Sequence, residues 1–179
     1  DWGYAAPYAV YWLAMDPDGC TYVWRELYGA GQKPGDGSKE DAAKVARKVR
    51  AIEEHDERNG YEYRINLADA AIFANGTGQY GMSRSIAQIF RENGVKWQPA
   101  WNAKGSRVNG AQEIIRLLSE DKLKIFSSCT HLLRTVPTLP PRAVITSEPT
   151  TESQLLRTKA GMLKPMAKSC TIWRMPLQK

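Results

Sequence analysis

Two aspartates stand where an oxygen-ligand site would need them. Asp1 opens Asp1-Trp2-Gly3-Tyr4, and Asp69 closes the extended run Arg64-Ile65-Asn66-Leu67-Ala68. Acids at the carboxyl ends of sheet strands sit where open α/β folds hold their ligands. Two of them facing one cleft would give a hard divalent cation the oxygens it prefers. A strand-end aspartate also commonly does no more than form a turn, so spacing alone leaves both readings open. Other chemistries are poorly served. Cys20, Cys129 and Cys170 form no CxxC pair, and only His55 and His131 are present, so a cysteine or histidine metal centre is not indicated. There is no nucleophile elbow of the Gly-x-Ser-x-Gly type. Gly76-Thr77-Gly78-Gln79-Tyr80-Gly81 fits GxGxxG, but it begins well after the preceding strand, and no acid closes the strand expected next. It reads as a connector.

The elements that position these residues follow from pattern. Tyr8 to Met15 is aromatic and β-branched enough for a buried strand. Asp16-Pro17-Asp18-Gly19 suits a type I turn, and residues 20–28 resume an extended pattern, which predicts a hairpin. Ser38 is the expected cap of a helix lined by Ala42, Val45, Ala46, Val49 and Ile52, stopped at Asn59-Gly60. Tyr61 to Ala68 predicts a strand, Ile86, Ile89 and Phe90 a helix, and Val95-Lys96-Trp97 a short strand. Val108, Ala111, Ile115 and Leu118 mark a further helix, Leu123 to Phe126 a strand, and Cys129 to Val136 a last short helix. Two antiparallel strands followed by alternating helix and strand predict a mixed α/β sheet flanked by helices.

A chain of 179 residues, 42% hydrophobic and 25% charged, suits one folded domain. No apolar run approaches the ~18 residues of a membrane span, and no basic-then-apolar leader opens the chain. With scattered, unpaired cysteines this predicts a cytoplasmic protein without membrane contact. The net charge of +6 divides unevenly. Residues 1–140 carry 18 basic and 17 acidic side chains, whereas residues 141–179 carry seven basic ones against Glu148 and Glu152. The expectation is a domain over 1–140 and a basic, poorly ordered or divergent tail over 141–179. Such a tail is either solvated or a contact for phosphate backbones. Lys104 and Arg107, in a polar, glycine-containing stretch, are the candidate phosphate contacts within the domain.

Several blocks in register carry a resemblance. Asp1-Trp2-Gly3-Tyr4, Pro7 to Val10, Asp16 to Gly19, Tyr22 to Tyr28 and Ala68-Asp69-Ala70-Ala71-Ile72-Phe73 together resemble the nuclease domain of tailed-phage terminase large subunits. Ser85 to Phe90, Gly94 to Ala100 with Asn102, and Ile125 to Leu132 with Pro137 continue it to about residue 140. The resemblance implies an RNase H-like fold that cuts concatemeric double-stranded DNA with two divalent metals, Mg²⁺ or Mn²⁺. Asp1 and Asp69 match its first and second metal-binding, catalytic aspartates, on adjacent parallel strands. The parent would act in phage DNA packaging and virion assembly, in the host cytoplasm, with a motor domain, a small terminase subunit and a portal.

The same resemblance implies features missing from this chain. The family's third aspartate lies in a C-terminal helix, yet the last aspartate here is Asp121. Glu26, Glu148 and Glu152 are the substitutes on offer. Read in a shifted frame, the codons of Cys170 to Pro176 allow Leu-Tyr-Asp-Met-Ala-Asp-Ala, which resembles the lost helix and suggests a frame-shifted tail. The strand expected before Asp1 is also outside the chain, so the sheet is expected to be incomplete at its first strand and its C-terminus. The chain then reads as a terminase fragment, weakly active or inactive. The alternative is a catalytically inactive DNA-binding or assembly module of the same fold; an unrelated RNase H-like enzyme of the resolvase or transposase kind is a third reading.

Overall fold

The computed structural model describes residues 3–74 and 84–136, together with the backbone of 144–145 and 166–169. The loop 75–83, most of the tail, Asp1, Glu148 and Glu152 lie outside the described residues. The predicted hairpin forms from β1 (Tyr8–Met15) and β2 (Thr21–Gly29), antiparallel from Tyr8↔Gly29 to Met15↔Thr21, with an irregularity after Trp12. Its turn is closed by the Gly19 amide on the Asp16 carbonyl at 3.0 Å. Then come α1 (Ala42–Arg58), β3 (Tyr63–Ala68), a 3-10 turn at Ala70–Phe73, α2 (Ile86–Glu92) and β4 (Gln98–Pro99). α3 (Ser106–Ser119), β5 (Leu123–Phe126), α4 (Thr130–Thr135), β6 (Val144–Ile145) and β7 (Met166–Ser169) complete the order.

The sheet is mixed, in the order β4-β3-β7-β1-β2-β5-β6. β1 is antiparallel to both its neighbours, and every other pairing is parallel. Two strands come from beyond residue 140, and one of them takes the middle of the sheet. β7 pairs with β3 in parallel, Leu67↔Ser169, and with β1 in antiparallel, Tyr11↔Ser169. Backbone groups of β1 and β3 that would otherwise lack partners are thereby bonded.

Alternation along β1 divides the core. Tyr8, Val10, Trp12 and Ala14 face one side, where Val45, Ala46 and Val49 of α1 and Ala87 and Phe90 of α2 meet them. Burying Val45 and Val49 contributes about 1.5–3 kcal/mol each. Tyr11 and Leu13 face the other side, packed with Val23, Ile125, Cys129 and the Ile114, Leu117 and Leu118 side chains of α3.

Three local expectations need correction. Asp41, not Ser38, caps α1: its carboxylate accepts the Lys44 amide at 2.6 Å, while Ser38 donates from its hydroxyl to the Gly3 carbonyl at 3.2 Å. The short strand predicted at Val95-Lys96-Trp97 falls instead at Gln98–Pro99, opposite Leu67 and Ala68, with Val95 and Trp97 buried beside it. α3 forms where expected but is rotated: of the expected face only Leu118 packs inward, with Ile114 and Leu117, while Val108 is 61% and Ile115 65% exposed. The Gly60 stop after α1 holds, with φ at +82°, a conformation glycine takes without strain.

Candidate functional site

The carboxyl ends of the parallel strands, and the start of β1, share one edge of the sheet. Leu67, Ser169, Tyr11 and Glu26 are level with one another in the ladders, so Asp69 comes two residues further toward that edge. Ala68 is fully buried and Asp69 is exposed. The Asp69 carboxylate accepts the Ala71 amide at 2.8 Å and so starts the 3-10 turn that buries Ile72. One oxygen is engaged in that turn, and the other has no partner among the described residues.

The chain before β1 reaches the same edge. The Gly3 carbonyl accepts the Ser38 amide at 2.9 Å, and the Gly37 amide donates to Ala5 at 2.9 Å. A Cβ on Gly37 would stand 2.3 Å from the Tyr4 carbonyl oxygen, so this approach needs glycine. Asp1 itself lies outside the described residues, and with it the expected meeting of Asp1 and Asp69.

Glu26 is employed elsewhere. Its two carboxylate oxygens accept the amides of His131 at 2.7 Å and Leu132 at 2.9 Å, tying β2 to the start of α4. The ring of His131 stacks on Tyr28 with centroids 4.1 Å apart. Burial, then the nearby Glu26 charge, holds the Tyr11 phenol above its ordinary range. From Glu26 on β2 to Asp69 beyond β3 there are three strand spacings, about 14 Å in all. Paired metal ions sit only ~3.5–4 Å apart, so Glu26 does not share a site with Asp69. Among the described residues, no three His, Cys, Asp or Glu side chains form a metal-holding group. The described side chains bring Asp69 alone to this edge, and they do not by themselves fit a two-metal centre.

Basic and aromatic groups follow on the adjoining strand. The Ala100 amide donates to the Ala68 carbonyl at 2.8 Å, which extends the β3–β4 ladder past its last residue pair. Trp101 comes next and is 72% exposed. Lys104 lies in the turn before α3 and Arg107 in its first turn, both exposed. The sequence reading picked out the two cations and passed over Trp101. An unpatterned tryptophan beside Pro99 and Asn102 was the available signal.

A second charged cluster was also missed. Asp56 is fully buried on α1, with Arg25 Nη1 2.6 Å from its carboxylate and the Tyr63 hydroxyl donating to the same oxygen. The Arg25 guanidinium lies 4.2 Å from the Trp24 ring centroid. Burial, then the Asp56 hydrogen bond, raises the Tyr63 phenol. This cluster joins α1, β2 and β3 around a fully buried carboxylate, so its work is structural.

No protein-family model, curated protein or solved structure matches the chain.

Proposed function

We propose that this chain is part of the nuclease domain of a phage DNA-packaging terminase, with an RNase H-like fold, whose intact parent cuts double-stranded DNA with Mg²⁺ or Mn²⁺. The observation that carries the reading is the placement of Asp69. It ends a strand that has a parallel neighbour, β7, beside an antiparallel hairpin, and its carboxylate is open to solvent at the carboxyl edge. The resemblance likewise puts its second metal-binding aspartate at the end of a strand with a parallel neighbour, but there the neighbour carries the first aspartate, whereas β7 carries none. In the intact parent a bound divalent ion would supply charge stabilisation and an activated water. In this chain Asp69 and, by the resemblance, Asp1 would hold it, while Lys104 and Arg107 contact phosphates. The engagement of Glu26 with α4 removes one candidate for the third acid and favours a second reading, a DNA-binding or assembly module without catalysis.

Nicking of supercoiled plasmid in Mn²⁺ or Mg²⁺ separates the two. The nuclease reading expects slow nicking that Asp69→Asn abolishes, with the thermal melt of the variant unchanged. Nicking that is absent, or identical in Asp69→Asn, leaves only the non-catalytic module.

A further inference from the structure

We infer that Trp101 is a stacking platform for an unpaired nucleobase, with Lys104 and Arg107 holding the adjoining phosphates, so that the strand gripped at this edge is single-stranded or locally opened. The inference rests on the nucleic-acid part of the proposed function and adds the form of the substrate. An indole 72% exposed two residues past the end of β4 is apolar area left in water. Its surroundings point to an anion. Residues 93–112 contain Lys96, Lys104 and Arg107 and no acid at all. The side chains of Trp101, Lys104 and Arg107 have no hydrogen-bond or ion-pair partner among the described residues. Other exposed cations, such as Arg116 with Glu113 and Glu120 and Lys48 with Glu40, lean on acids of their own neighbourhood; this stretch offers none.

A flat aromatic face with cations a few residues along the same segment is the combination that holds a nucleic-acid strand, stacking on bases while charge follows the backbone. Within a continuous duplex the base faces already cover one another. An indole at the surface therefore finds a free face only on an unpaired base or at a duplex end. The ladder puts Ala100 level with Asp69, so a base on Trp101 brings its neighbouring phosphodiester to the edge where Asp69 stands.

Fluorescence anisotropy of a labelled thymidine oligomer with the full chain, without added metal, tests this, using relaxed covalently closed plasmid as competitor. The oligomer should bind more tightly per nucleotide than the plasmid. Trp101→Ala should weaken oligomer binding roughly 5- to 100-fold and leave plasmid competition nearly unchanged. Trp101→Phe should restore binding to within a few-fold and remove the part of the tryptophan emission that the oligomer quenches. Lys104→Ala and Arg107→Ala should each lower the salt slope by about 0.7 on single strands. Wild-type affinity for the oligomer in Trp101→Ala, an equal loss on both nucleic acids, or no oligomer binding by the wild type overturns the inference. Plasmid nicking reports on Asp69 separately, so a failed nuclease and a failed platform give different results.

Discussion

Asp56 is a fully buried carboxylate held by Arg25 and Tyr63. Breaking a buried ion pair costs about 3–5 kcal/mol, because the surviving charge stays desolvated. The Arg25 side chain keeps 29% exposure, and solvent screening reduces the expectation to about 2–3 kcal/mol. Asp56→Asn should therefore lower the unfolding free energy by that amount, read from the fall in urea midpoint at constant m, and Tyr63→Phe by about 1 kcal/mol. A loss of unfolding free energy below about 0.5 kcal/mol would mean that the cluster contributes little. The position was legible in part. Asp56 continues the inward stripe Ala42, Val45, Ala46, Val49 and Glu53 of α1, so its burial could be read from periodicity. Its partners could not, because Arg25 and Tyr63 come from strands whose register only the sheet determines. Asp69 was legible for the opposite reason: its strand, its turn and its exposure are all local.

At the scale of elements, β7 carries the strongest consequence. Lys168 pairs with Trp12 on one side and Asn66 on the other, so its backbone sits inside a sheet bonded along both edges. Lys168→Pro removes a donor from that ladder and inserts a ring. Each carbonyl it orphans costs roughly 1–3 kcal/mol. The variant should melt earlier and less cooperatively than wild type, whereas Lys168→Ala, which keeps the amide, should melt within a few degrees of it. Equal melting of the two would remove β7 from the sheet's centre. The hairpin, α1, β3, α2 and β5 were legible because each advertises its own period and its own stop. β7 was not, since Met166-Ala167-Lys168-Ser169 has no alternation and gains its structure only from the neighbours on either side. For α3, the sequence carried apolar residues on both faces, and packing against Val23 and Ile125 chose Ile114, Leu117 and Leu118.

For the whole molecule, alkaline pH is the sensitive direction. Burial, with the charge and hydrogen bond of Glu40, pushes the Tyr8 phenol up to about 12, and burial raises Tyr11, Tyr22 and Tyr63 as well. The unfolded chain releases these protons near pH 10, so the folded state holds them longer. Stability is thus fully present below about pH 10 and falls as pH climbs toward about 12. Tyrosinate absorbance and far-ultraviolet circular dichroism, followed together, should show these tyrosines ionising as the helices are lost; ionisation complete near pH 10 with the dichroism intact would contradict it. No helix among the described residues is long and apolar enough to cross a membrane. The position of β7 also bears on how the protein is made. The hairpin can form soon after it leaves the ribosome, but β1 and β3 can be joined only after Met166–Ser169, which follows every other strand among the described residues, has emerged. Until then the nascent protein presents two open strand edges, each a template for pairing with a neighbouring chain on the polysome.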